Sequence, residues 1–238
     1  MTAQALQALS QELAQLPTDG GSARQVRCLR GVRGVPTGEL TRRIAQAAAS
    51  LSLSLPADDE ALTALFGTAW EDGLAAIGLL ATVAPQQPAE ALALGLEWAE
   101  RTDDVATADA LGWLVLGPAA LLADDLPALL ALRGQGRPET RRAAVSAGLA
   151  WTPEPFEGPA AAGLRERAGT RTGCMSPSAL EGPLAVLCDK FVRDEAPAVR
   201  KALRRVLKAW ASADPARVTR WAAAVRGGLP KMLSAVVP

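Results

Sequence analysis

Few residue types are left to do chemistry in this chain, because histidine and tyrosine are absent from its 238 residues. The three cysteines, Cys28, Cys174 and Cys188, are widely spaced, form no C-x-x-C pair and have no histidine to complete a zinc set. Gly34 and Gly38 flank Pro36 without making a phosphate loop, and no Ser-His-Asp set can be assembled. What remains is one carboxylate in an unusual place and several clusters of cations. Asp109 lies in an otherwise apolar stretch, among Val105, Ala108, Gly112 and Trp113, where a carboxylate needs a partner or water. Either it is a structural aspartate that caps a neighbouring helix or pairs with an arginine such as Arg142, or it opens into a groove and acts on a substrate. The cations are Arg141 and Arg142, and Arg200, Lys201, Arg204, Arg205 and Lys208. Together they are candidate phosphate contacts, which give sequence-independent, salt-sensitive affinity for nucleic acid.

The second cluster sits in P-A-V-R-K-A-L-R-R-V-L-K-A-W, Pro197 to Trp210. At about 100° per residue, Val199, Ala202, Leu203, Val206, Leu207 and Trp210 share one side of a helix and the five cations share the other. Pro197 suits the first helical position, where its missing N–H is harmless. Such a face is either a phosphate-binding surface or an ordinary solvated one. The charge distribution favours the first: Met1–Arg133 holds 8 basic and 16 acidic residues, whereas Lys190–Pro238 holds 11 basic and 3 acidic, within a chain of zero net charge. Arg24, Arg27, Arg30 and Arg33 recur every third residue and could line a strand of nucleic acid or be solvated.

The elements carrying these residues read as helices almost end to end. No sustained period-two alternation marks a strand. Leu6, Leu9, Leu13 and Leu16 recur at helical spacing, so Met1–Leu16 is an amphipathic first helix and not a signal peptide. Further helices are expected over Pro36–Leu53, Glu60–Gly67 with Asp58 as cap, Trp70–Val83, Ala89–Arg101, Val105–Leu116 capped by Asp103 or Asp104, Glu139–Ala150, Ala179–Arg193 and Ala216–Arg226. Gly117-Pro118 is expected to break the chain, and the apolar run Ala110–Ala123 is too short to span a bilayer. Trp151–Pro159 and Gly169–Pro177 read as loops. Many helices joined by short turns bury their stripes best as stacked hairpins, so the expected fold is an all-α solenoid over residues 1–238, with an irregular all-α domain as the alternative. Four of the six tryptophans sit at core positions of their helices; Trp70 and Trp151 are left open.

Several segments together resemble the AlkD-like DNA glycosylases, a family of HEAT-like repeats that excises alkylated purines. They are Gly31-Val32-Arg33-Gly34-Val35-Pro36 with Glu39-Leu40; Trp70–Leu80, with Glu71 before a Leu/Ala-rich helix; Val105-Ala106-Thr107-Ala108-Asp109; Arg141-Arg142-Ala143-Ala144; and Val199-Arg200-Lys201-Ala202 continuing through Ala213-Asp214-Pro215 and Val218. Their order and spacing agree over about Gly31 to Val225. The resemblance implies a curved superhelix with a concave basic face for duplex DNA. It also implies that Asp109 stabilises the charge growing on a deoxyribose as its glycosidic bond breaks and orients a water there. The family's nucleotide-contacting tryptophans fall at Val105 and Arg205, neither of which is aromatic here.

The expectation is therefore a monomeric, cytoplasmic DNA repair protein without metal or organic cofactor and without a membrane partner, associated with the nucleoid when bound to DNA. It would hydrolyse the N-glycosidic bond of cationic alkylated purines. A family member that binds DNA without chemistry, and a protein-interaction scaffold, are the alternatives.

Overall fold

Leucine and alanine recurring at three- and four-residue spacing wind the chain into helix. The computed structural model describes residues 2–18, 31–152, 177–225 and 228–235. Among them the chain is all-helical, with no strand and one isolated parallel bridge between Gly31 and Ala69. The helices are α1 (Thr2–Gln15), α2 (Thr37–Ser50), α3 (Asp59–Thr68), α4 (Trp70–Val83), α5 (Pro88–Arg101), α6 (Val105–Leu122), α7 (Leu126–Ala131), α8 (Pro138–Ser146), α9 (Pro177–Phe191), α10 (Pro197–Ala213), α11 (Pro215–Ala224) and α12 (Lys231–Ser234). One layer is made by α2, α4, α6, α8 and α10, each packed against the next in chain order. The alternate helices α3, α5, α7, α9 and α11 are their hairpin partners, and α1 closes the end against α2 and α3. This is the stacking expected of a solenoid, in which each apolar stripe is covered only by neighbouring units.

α10 shows why the stacking holds. Its buried residues are Val199, Ala202, Leu203, Val206, Leu207 and Trp210, the side that helical periodicity selects. Burying each leucine or valine is worth about 1.5–3 kcal/mol. Trp210 meets Trp221 of α11 at 5.8 Å between ring centroids. The tryptophans are mostly core, including Trp70 and Trp151, whose indole N–H groups donate to Asp104 and to the Gly117 carbonyl; Trp113 is half-buried. Cys188 is buried, and burial pushes its thiol far above the ordinary range, so it is inert. Cys28, Cys174, Arg24, Arg27, Arg30 and the loops over 153–159 and 169–176 lie outside the described residues.

The structure departs from the expected caps and breaks in two places. Asp58 does not cap α3; its carboxylate accepts from the Ser54 N–H instead, closing the preceding turn. Nor does Gly117-Pro118 break the chain, since α6 runs from Val105 to Leu122. It does so through a π-helical segment, Gly112–Leu116, in which the Gly117 N–H donates to the Gly112 carbonyl five residues back. The wider turn opens the ladder just before Pro118, which has no N–H to contribute. By length and composition α6 could cross a membrane, but just over half of it is buried against neighbouring helices.

Two glycines of α6 set its distance from α8. A Cβ on Gly112 would stand 2.1 Å from the Ala143 carbonyl oxygen, and one on Gly117 would stand 2.5 Å from that of Ala147. Backbone thus lies on backbone, and the polar side chains of the two helices are drawn within direct hydrogen-bonding reach.

Candidate functional site

Asp109 is the fifth residue of α6, one turn after a firm start to the helix: Asp104 caps it by accepting from the Ala106 and Thr107 N–H groups. The close contact at Gly112 places Asp109 opposite Arg142 and Ser146, which share one face of α8 at i and i+4. Arg142 grips the carboxylate with two bonds, Nε to Oδ1 at 2.8 Å and Nη2 to Oδ2 at 2.6 Å. The Ser146 hydroxyl donates to Oδ1 at 2.6 Å. From α10, Arg205 donates through Nη1 to Oδ2, also at 2.6 Å. Each oxygen thereby accepts two hydrogen bonds, and residues 33 and 96 positions further along the chain converge on one group. The Asp109 side chain keeps 21% of its surface exposed. The carboxylate is fixed in direction and still reachable from outside.

A second aspartate fixes the register of α10 against α8. Asp194, buried, accepts from Arg141 Nε at 2.7 Å and Nη2 at 3.3 Å, and from the Ala196 N–H at 2.9 Å. Burial alone would raise its carboxyl, but the hydrogen bonds from Arg141 and Ala196 and the charges of Arg141 and Arg133 outweigh this and hold it below the ordinary carboxylate range. Arg141 Nη1 also donates to the Gln135 and Gly136 carbonyls, Arg200 Nε to the Asp194 carbonyl, and Arg142 Nη1 to the Ala198 carbonyl in the first turn of α10. Because this joint is tight, Arg205, just under two turns along α10 from Ala198, arrives at Asp109.

The expected cation cluster is therefore divided in two. Arg142 is a correction: its side chain is only 4% exposed and turned to Asp109, so it supports the carboxylate and is not placed to meet a phosphate. Arg141, Arg200 and Arg205 are partly exposed but have internal partners. Lys201, Arg204 and Lys208 stand exposed along α10. Arg33 is occupied elsewhere, on Asp72 and Ser10. Val105, one turn before Asp109, is 47% exposed, an apolar contact at the rim of the site.

The contacts of three residues, Ser146, Asp194 and Glu71, were not anticipated from sequence. Ser146 had a signal, its i+4 relation to Arg142, whereas Asp194 had only its place ahead of Pro197. Glu71, fully buried at the start of α4, accepts from the backbone N–H groups of Arg33, Gly34 and Val35. It clamps the loop leading into α2, so two of the segments that carried the family resemblance turn out to be halves of one contact. Among the described residues no group of three or more acidic, histidine or cysteine side chains could hold a metal ion.

No curated protein matches the chain. A family model described as DNA alkylation repair enzyme matches residues 7–234.

Proposed function

The chain belongs to the DNA alkylation repair enzyme family, which gives it a role in DNA repair with DNA as partner, and within that role we propose that it is a glycosylase acting on duplex DNA. Lys201, Arg204 and Lys208 of α10 contact backbone phosphates, and Asp109 faces the deoxyribose of an alkylated purine. The observation that carries this reading is the position of Asp109: a fixed, solvent-reachable carboxylate on the layer that also presents those exposed cations.

The reaction needs little else. An N3- or N7-alkylpurine already carries a positive charge, so when the bond between C1′ and the base nitrogen breaks, the electron pair leaves with the base and neutralises it. Positive charge then develops on the sugar. A carboxylate aimed at it stabilises that charge without reorganising, as in glycoside cleavage. Water adds to C1′ and loses a proton to solvent, leaving an abasic sugar and a neutral base. No general acid is required, which suits a chain without histidine.

A second reading is favoured by one observation. Asp109 meets two guanidinium groups, so the cluster carries one excess positive charge, which suits a phosphate better than a cationic sugar. On that reading the protein binds DNA without hydrolysing it. Incubation with methylated duplex DNA decides between them: release of free base by the wild type, lost in Asp109→Asn, supports the glycosylase, and binding without release supports the second reading.

A further inference from the structure

We propose that Arg205 is an exchangeable latch, closing Asp109 in the DNA-free protein and moving to a backbone phosphate when a duplex settles on α10. This rests on the DNA-binding reading above and adds the regulation of its site. The three partners of Asp109 are unequal. Arg142 and Ser146 both come from α8 and are buried, and Arg142 is further tied to the Ala198 carbonyl. Arg205 comes from a different helix, engages one oxygen of the Asp109 carboxylate where Arg142 engages both, and is 28% exposed against 4% for Arg142. It is the partner that can leave.

Its neighbours show where it goes. By helical geometry Arg205 lies about 40° around α10 from Lys201 and about 60° from Lys208, at the edge of the exposed cationic stripe. A phosphate held by those lysines is within the sweep of the Arg205 guanidinium. The exchange conserves charge: Arg205 gives up one anion for another, while Asp109 keeps its two-bond partner Arg142 and the Ser146 hydroxyl, so no charge is left alone. Once Arg205 leaves, the excess charge leaves the cluster with it and Oδ2 gains a free acceptor position toward the sugar. The electrostatic objection to a cationic intermediate holds for the closed site and disappears in the open one.

The test is equilibrium binding to unmodified duplex DNA at several salt concentrations, by fluorescence anisotropy, for the wild type, Arg205→Gln, Arg205→Lys, Asp109→Asn and the Asp109→Asn/Arg205→Gln double variant. Having to break the latch opposes binding in the wild type, so Asp109→Asn binds about two- to fivefold tighter. Arg205→Gln loses about 0.9 from the slope of log K against log salt, and Arg205→Lys restores it. In the Arg205→Gln background the Asp109→Asn gain vanishes; a gain that persists there reflects only the loss of a negative charge near DNA and overturns the proposal. Unchanged slope in Arg205→Gln, with wild type binding intact, also overturns it and makes Arg205 a static prop. Should Asp109→Asn fail to fold in a melting scan, the slope of Arg205→Gln and its rescue by lysine decide alone. Wild type that fails to bind even at low salt overturns the DNA-binding reading itself, which is a distinct outcome.

Discussion

The unequal burial of the two main partners predicts which side of the Asp109–Arg142 pair is the more costly to remove. Asp109→Ala leaves Arg142, 4% exposed, with its charge uncompensated and only the Ala198 carbonyl as partner. Breaking a buried pair in this way costs ~3–5 kcal/mol. Arg142→Met keeps the apolar stem and leaves Asp109 still bonded to Ser146 and Arg205, with the Ala198 carbonyl losing a donor. That corresponds to ~1–3 kcal/mol for hydrogen bonds lost to charged groups. In a chain of this length each kcal/mol shifts the midpoint by ~2–4 °C. Calorimetric melting at neutral pH should then place Asp109→Ala lowest, Arg142→Met between it and wild type, and the double variant above the sum of the two losses by at least ~1 kcal/mol. Arg142→Met melting below Asp109→Ala, or losses that simply add, would refute the claim that the arginine is buried for the carboxylate's sake.

Other consequences are separable from this one. Gly112→Ala forces α6 from α8, because the new Cβ would meet backbone at 2.1 Å; a loss of ~1–3 kcal/mol in a melting scan is expected, whereas a midpoint equal to wild type would mean that the helices are not in contact there. Each of Lys201→Gln, Arg204→Gln and Lys208→Gln should lower the salt slope of DNA binding by up to ~0.9, and Arg142→Gln should not change it by that route. Asp194 has its carboxyl held below the ordinary range, so it contributes stability above the unfolded value near ~3.9 and loses it as pH falls through the folded value. Denaturant midpoints should therefore drop on acidification below about pH 4, and Asp194→Asn should flatten that part of the profile while lowering stability at neutral pH.

What the sequence shows directly is whatever repeats with helical period. The buried set of α10, the limits of α4 from Trp70 to Val83, the amphipathic α1 and the all-helical stacking all follow from spacing that a reader can count. Breaks are harder, because a π-helical turn makes Gly117-Pro118 passable and a turn N–H diverts Asp58 from its cap. The site was half legible. Asp109 stands out as a charge in an apolar helix, and Lys201, Arg204 and Lys208 as an exposed stripe. What periodicity cannot reveal is which cations turn inward: Arg141 and Arg142 are adjacent in sequence, yet one meets Asp194 and the other Asp109, because α8 lies between α6 and the turn that leads into α10. Pairings such as Arg205 with Asp109 are created by packing and leave no trace in local spacing.

The glycosylase proposal puts Asp109 at the reacting sugar. The most direct measurement is single-turnover release of methylated purine from duplex DNA by the wild type and by Asp109→Asn, with binding of both to the same DNA measured alongside. First-order base release by the wild type is expected, with a fall of at least ~100-fold in Asp109→Asn while DNA binding is retained. Equal release by both proteins, or none by a wild type that binds the DNA, would contradict it.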